Sequence, residues 1–97
     1  MKGIKILHTK EVKGDELVEI KIWQVPKSED KPFGVKYSIV YIKDGKRLLG
    51  YDNAEGKGNH KHYKDIEVPY EFAGIWDLLN NFKKDLKKIR GGDWDED

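Results

Sequence analysis

The first half of the chain alternates apolar and polar residues with a period of two, which is the pattern of half-buried β-strands. The alternation predicts four strands, over residues 4–9, 15–25, 35–44 and 46–52. Asp44-Gly45 is a residue pair that favours the tight turn of an antiparallel hairpin. We therefore expect strands two to four to form an antiparallel meander, with strand one at the edge beside strand two.

The second half of the chain contains one stretch with helical periodicity. Within residues 74–90 the apolar positions recur every three or four residues. They are Ile75, Leu78, Leu79, Phe82, Leu86 and Ile89. Before this stretch, residues 63–72 can supply a short fifth strand that ends near Pro69. The expected fold is α+β, an antiparallel sheet of four or five strands in a meander with one C-terminal helix packed on one face.

The length of 97 residues suits a single domain. We place this α+β domain in residues 1–90 and expect the acidic residues 91–97 to form a mobile tail. The absence of cysteine excludes disulfides and thiolate metal sites. The N-terminus lacks a signal-peptide pattern and no run approaches about 20 apolar residues. We therefore expect a cytoplasmic protein with no membrane contact, and its Lys- and Glu-rich composition resembles that of thermophile proteins.

The net charge of +1 conceals an uneven distribution. All 19 basic residues precede Gly91, whereas four of the 18 acidic residues follow Gly92. Residues 83–90 form a lysine-rich segment that can attract phosphate groups, although such a helix face is more often simply solvated. Charge alone therefore neither indicates nor excludes a nucleic acid partner.

The segment YDNAEGKGNHKHY, residues 51–63, contains the strongest candidates for a functional site. It holds His60 and His62, and histidine is the side chain whose unperturbed pKa lies closest to neutral pH. In an extended chain His60, His62 and Lys64 point to one face. Two histidines with a lysine beside them therefore predict a polar site on one side of this segment.

Three uses of this segment are compatible with its residues. The histidines could do acid–base chemistry on a phosphodiester while a lysine stabilises the developing charge. They could bind a metal together with Asp52 or Glu55. They could also be solvated histidines that pair with carboxylates and have no catalytic role. The spacing His-x-His leaves these alternatives open.

Other residues that attract attention have ordinary structural explanations. Asn53 is a common turn residue, and His8 lies in the first predicted strand, where we expect it to be structural. Three aromatic residues could form a platform for stacked bases: Trp23, Tyr37 and Tyr41. In a small domain such residues more often fill the core, which is the interpretation we favour for all three.

A longer pattern surrounds the two histidines. It consists of the run KPFGVKYSIVYIKDGKRLLGYDNAEGKGNHKHY, followed by VPYEF and a helix that contains LLNNF. Over about residues 15–90 this pattern resembles the TumE family of small prokaryotic toxins. The usual form of its most specific segment is GKGDHRH, from which this chain departs at Asn59 and Lys61. The resemblance implies a toxin with a cognate antitoxin, usually encoded beside it.

The resemblance and the residues together predict a toxin that cleaves RNA by acid–base chemistry. The RNA target rests on analogy with other small toxins of this size and fold class. The expected catalytic residues are His60, His62, Lys57 and Asp52. One histidine acts as base and the other as acid, the lysine stabilises charge on the phosphate, and the carboxylate orients a histidine. The expected substrate contacts are Tyr51, Asn53, Lys61 and Lys64.

We expect no cofactor and no tightly bound zinc. The segment offers two histidines and no thiolate, and Asn59 stands where the family usually has a carboxylate. The alternative function is a non-catalytic module that binds RNA or a protein, in which the His-x-His segment is structural.

Overall fold

A computed structural model describes residues 3–53 and 58–91 of the chain. Within these residues the elements are β1 (Ile4–Lys13), β2 (Glu16–Gln24), β3 (Val35–Lys43), β4 (Lys46–Asp52), β5 (His60–Tyr63), β6 (Ile66–Pro69) and α1 (Ile75–Gly91). The strands form one sheet in the order β1 to β6, and each neighbouring pair is antiparallel. The α+β meander with one C-terminal helix is therefore confirmed, as is the place of the first strand at the edge beside the second.

The turns between the first strands follow from residues that accept a positive φ. Asp44 and Gly45 join β3 to β4 with φ of 53° and 76°, which is the combination of a type I′ hairpin turn. Gly14 has a φ of 62° in the turn between β1 and β2, where a Cβ would strain the backbone. These local conformations help to set the register of the strands that they join.

The described residues form six strands, rather than the four or five that the sequence pattern predicted. The additional strand is β5, whose residues HKHY show no apolar alternation. The short strand predicted within residues 63–72 is present as β6, which follows the end of β5 and a turn in which Lys64 has a φ of 56°. Pairing with β4, which places Asp52 opposite His60, holds β5 in the sheet. His60 and His62 therefore lie in a strand and not in a loop.

One face of the sheet carries the hydrophobic core beneath α1. Every second residue of β3 is buried, so that Tyr37, Ile39 and Tyr41 face the core. The helix contributes Leu78 and Phe82, which are also buried. Tyr37 and Tyr41 are thus core residues, as the sequence predicted.

The opposite face of the sheet is formed by the half-buried alternate residues of the central strands. Trp23 lies on this face, because it pairs with Lys36 while its neighbour Ile22 is buried in the core. We call the surface that carries Trp23, Lys36, Ser38 and Asp52 the accessible face. The expectation that Trp23 fills the core is wrong, since successive residues of a strand point to opposite faces.

The helix is tied to the sheet at its C-terminal end. Arg90 Nε lies 2.9 Å from the Oε1 atom of Glu16 in β2, and basic residues in this last turn also suit the helix dipole. Among the described residues, no helix has the length and apolar character needed to cross a membrane.

Candidate active site

Two neighbouring strands bring a carboxylate and two histidines together on the accessible face. Asp52 ends β4 and pairs directly with His60 of β5, while His62 pairs with Gly50. His60 Nε2 lies 2.9 Å from Asp52 Oδ1, and His62 Nε2 lies 3.9 Å from Asp52 Oδ2. The two imidazole centres are 5.1 Å apart. The structure therefore brings together three of the four residues predicted to be catalytic.

Glu67 of β6 adds a second carboxylate to this group. Its Oε2 atom lies 3.4 Å from His60 Nε2, because β6 pairs with β5 and places Glu67 beside His62. The sequence analysis did not identify this residue. Its signal was the alternation of charged and apolar residues in IEVP, which becomes useful only once the pairing with β5 is known.

Arg47 is a second residue of the site that the sequence analysis missed. Its Nη2 atom lies 3.0 Å from His62 Nδ1. In a regular strand Arg47 and Gly50 would point to opposite faces, but the register with β3 shifts between Tyr41 and Ile42. This irregularity, which is of the β-bulge type, reverses the alternation and places Arg47 on the accessible face.

Gly50 gives the arginine room to lie across the strand. A Cβ on Gly50 would come within 3.3 Å of Arg47 Cδ and 3.7 Å of its Nε. At the first distance the arginine side chain would have to shift by a few tenths of an ångström, whereas the second is an ordinary van der Waals contact. Gly50 thus serves a close approach here, and its partner His62 is the ring that Arg47 reaches.

The two histidines have different hydrogen-bond partners. His60 Nδ1 faces the Gly58 carbonyl oxygen at 3.3 Å, and its Nε2 faces the carboxylates of Asp52 and Glu67. All these partners are acceptors, so each ring nitrogen of His60 has an acceptor for an N–H. The side chain of His60 is nearly buried, so these partners also fix its orientation.

One ring nitrogen of His62 faces a donor instead of an acceptor. The Arg47 guanidinium can only donate, so His62 Nδ1 must accept and carries no proton in this arrangement. Burial, followed by the positive charge of Arg47, lowers the pKa of His62 below its ordinary value near 6.5, although nearby carboxylates act in the other direction. The site therefore offers acceptors to both ring nitrogens of His60 and a donor to one ring nitrogen of His62.

These groups line one cavity on the accessible face. Its lining residues are Lys36, Tyr37, Ser38, Arg47, Asp52, His60, His62 and Glu67. The cavity measures about 390 Å³, which lies within the usual range of ligand sites and exceeds what a single ion requires.

Two of the predicted substrate contacts lie on the other side of the sheet. Tyr51 is fully buried in the core, and its hydroxyl donates to Asp85 of α1. Lys61 Nζ lies 2.7 Å from the same carboxylate and stacks over the Tyr51 ring. Both residues therefore hold the helix against the sheet and do not reach the cavity.

The remaining predicted residues have separate positions. Asn53 is buried, where its Oδ1 accepts from the Tyr37 backbone N–H at 3.0 Å and its Nδ2 donates to the Val35 carbonyl at 2.8 Å. Lys64 lies in the turn after β5 and does not continue the face that carries the histidines. Lys57 lies outside the described residues.

Asn59, where the family usually has an aspartate, does not belong to the histidine cluster. Its Oδ1 accepts a hydrogen bond of 2.6 Å from the Tyr37 hydroxyl. An aspartate could accept the same bond, so this substitution leaves the cluster's carboxylate, Asp52, in place. The argument that Asn59 removes a metal ligand from the histidines is therefore wrong, because this residue contacts Tyr37 and not the cluster.

The cluster nevertheless fits a metal poorly. Asp52, His60 and His62 offer ligand atoms within 4.8 Å of one another. A histidine that binds a metal through Nε2 keeps its proton on Nδ1 and needs an acceptor for it. His60 has such an acceptor in the Gly58 carbonyl, but His62 Nδ1 faces the Arg47 guanidinium, which is a donor. As arranged here, only one of the two histidines suits a metal.

Comparison with known families identifies the class of protein. Residues 4–90 match the family model described as Toxin TumE, and the chain belongs to this family. It is therefore the toxin component of a toxin–antitoxin system, and a cognate antitoxin is its partner. No solved structure matches the chain.

Proposed function

We propose that this toxin cleaves RNA by general acid–base catalysis without a metal, with His62 as the base and His60 as the acid. The observation that carries the proposal is that His60 has acceptors at both ring nitrogens while His62 Nδ1 faces a donor, in two imidazoles whose centres lie 5.1 Å apart. Environments that keep one titratable group protonated and its neighbour neutral are typical of paired acids and bases. Cleavage of a phosphodiester by its own 2′-hydroxyl requires both.

The two histidines would act on opposite ends of the scissile unit. His62 Nδ1 takes the proton of the 2′-hydroxyl, and the oxygen attacks the adjacent phosphorus. The bond from phosphorus to the 5′ oxygen of the next nucleotide breaks, and His60 gives that oxygen its Nε2 proton. The products are a 2′,3′-cyclic phosphate and a 5′-hydroxyl, and one proton has passed from His60 to the leaving group while His62 has gained one.

Arg47 takes the part that the sequence analysis assigned to a lysine. Its guanidinium carries a permanent positive charge and a fork of donors that matches phosphate oxygens. An entering phosphate draws the guanidinium from His62 Nδ1, which frees the lone pair of that nitrogen for the 2′-hydroxyl. Lys57, outside the described residues, remains a further candidate for contact with the phosphate.

Asp52 and Glu67 support the acid. Their carboxylates face His60 Nε2 at 2.9 and 3.4 Å, and they stabilise the imidazolium until it gives up its proton. In this respect Asp52 resembles the carboxylate that orients the histidine of a catalytic triad.

Incubation of the purified toxin with single-stranded RNA in excess EDTA tests the proposal. We expect cleavage to persist, the products to carry 2′,3′-cyclic phosphate ends, and elemental analysis of protein purified without chelator to find no stoichiometric zinc. Activity that disappears with EDTA and returns with zinc would contradict the metal-independent mechanism. RNA binding without cleavage would instead favour the non-catalytic binding module.

The pH dependence of cleavage should report on Arg47. A base must be neutral to accept a proton, so kcat/KM should fall as the pH decreases through the pKa of His62, which lies below 6.5. Arg47→Ala removes one cause of that low pKa, so the acidic limb of the pH profile should move to higher pH. The variant should also lose about 10²–10³-fold in rate, as when a donor to a developing oxyanion is removed.

Lys46→Ala is the matched control for this experiment, because Lys46 is an exposed cation in the same hairpin. It should leave the acidic limb in place. Gly50→Ala should shift the limb in the same direction as Arg47→Ala but by less, since its Cβ would come within 3.3 Å of Arg47 Cδ and press on that side chain. An Arg47→Ala profile that differs from the wild type only in height would show that Arg47 does not tune the base.

A further inference from the structure

A tryptophan of the accessible face lies beside one of the residues that line the cavity with the histidines. Lys36 of β3 lines this cavity, and it lies two residues before Ser38, which pairs with Asp52. On its other side Lys36 pairs with Trp23 of β2. The Lys36 Nζ atom lies 5.7 Å from the centre of the Trp23 ring. Lys36 and then Trp23 thus lie at increasing distance from the histidines.

Trp23 lies on the accessible face and not in the core. Its strand neighbour Ile22 is buried, whereas Trp23 is half-buried among polar residues. A tryptophan at this kind of position presents an apolar surface to a ligand, and every nucleic acid base can stack on it. The contact with Lys36 places the ring beside a residue that lines the cavity.

The distance suits the nucleotide one position beyond those that flank the scissile bond. Trp23 and His60 lie three strands apart in the sheet and two residues apart in register. With a strand spacing of about 4.8 Å and a rise of about 3.3 Å per residue, their Cα atoms are separated by roughly 16 Å. Lys36 lies between them, where the phosphate that joins this nucleotide to its flanking neighbour would pass.

The charges on this path favour a phosphate backbone. Lys21, Lys36 and Arg47 share the accessible face with the site. The acidic residues of the face are engaged by histidines, because Glu19 Oε2 lies 2.9 Å from His8 Nε2 and Asp52 faces His60. These cations place positive charge on the face that carries the site, and positively charged grooves are typical of proteins that bind single strands.

We propose that Trp23 is the stacking platform for the base one position beyond the nucleotides that flank the scissile bond, and that Lys36 contacts the phosphate that joins this nucleotide to its flanking neighbour. The substrate is then a single-stranded RNA that lies across β2 to β5 on the accessible face. A duplex would not present an unstacked base to the ring. This inference rests on the proposed function for the choice of RNA, but it concerns binding and can be tested separately from cleavage.

Binding of a fluorescently labelled, fully 2′-O-methylated single-stranded oligonucleotide tests the inference by anisotropy. This probe cannot be cleaved through its 2′ oxygen. Trp23→Ala should weaken its binding by about 5- to 150-fold, the range for loss of one base–aromatic stack. Trp23→Phe keeps an aromatic ring and should retain most of the affinity, and the corresponding 2′-O-methylated duplex should bind more weakly than the single strand.

Trp76→Ala is the matched control, because Trp76 is 81% exposed on α1 and lies outside the accessible face. It should bind the oligonucleotide like the wild type. If Trp23→Ala does not fold, Lys36→Glu provides the test, with Lys84→Glu on the exposed side of α1 as its control. Lys36→Glu should weaken binding and flatten its dependence on salt, and Lys84→Glu should do neither.

The outcomes separate this inference from the proposed function. Binding that depends on Trp23 in a protein that does not cleave unmodified RNA would support the inference and overturn the catalytic proposal. Equal affinities of the wild type and Trp23→Ala, or equal losses for Trp23→Ala and Trp76→Ala, would overturn the inference even if RNA is cleaved. Failure of the wild type to bind the oligonucleotide would overturn it as well.

Discussion

Replacement of His60 or His62 by alanine should reduce RNA cleavage by about 10²–10⁴-fold, the usual contribution of a positioned acid or base. His62→Ala removes the neutral imidazole, and His60→Ala removes the imidazolium that protonates the leaving oxygen. The two losses should not add in a double variant, because the residues act as a unit on one reaction. Initial rates on a short RNA measure the effect, and loss of growth arrest on expression should accompany it.

His8→Ala is the matched control for these variants. His8 lies on the edge strand β1, pairs with Glu19 and is not part of the cavity. Its substitution should affect thermal stability more than cleavage. His60 is nearly buried and contacts two carboxylates, so His60→Gln, which keeps the volume and a polar end, guards against a loss of folding. Full activity in both His60 and His62 variants would refute acid–base catalysis, and the binding-module interpretation would replace it.

Phe82→Ala should lower the free energy of unfolding by about 3–5 kcal/mol, the cost of removing a large aromatic side chain from a packed core. Phe82 is 2% exposed and meets the Tyr51 ring edge-to-face at 6.2 Å. Its loss leaves a cavity between α1 and the centre of the sheet. Chemical denaturation followed by far-UV circular dichroism measures the change.

The control for the helix is again Trp76→Ala. Its side chain is 81% exposed, so its substitution should change the free energy of unfolding by no more than about 0.5 kcal/mol. A Phe82→Ala protein as stable as the wild type would mean that α1 is not docked on the sheet through this residue.

The parts of the fold that the sequence predicted are those with strong local signals. The alternation in β2 and β3 is long and apolar on one side, and Asp44-Gly45 has the backbone preference of the turn that it forms. The helix was predicted from a single apolar stripe, and its bounds differ from the prediction by one residue at each end. Periodicity of this length decides secondary structure before tertiary contacts contribute.

β5 was missed because it has four polar or aromatic residues and no apolar alternation. Its hydrogen bonds to β4 and β6 make it a strand. The same pairing explains the mixed outcome for the site residues. His60, His62 and Asp52 converge on one face, whereas Tyr51 and Lys61, which alternate with them in the sequence, lie on the core face.

The sequence by itself predicted a small α+β meander with a helix, and it singled out His60 and His62 as candidates for proton chemistry. Only the tertiary structure gives these two histidines different hydrogen-bond partners, on which the proposed roles of acid and base rest. That difference comes from Arg47 and Glu67, which reach the histidines from other strands. A register irregularity reverses the side of Arg47, and strand pairing places Glu67, so neither position can be deduced from spacing along the chain.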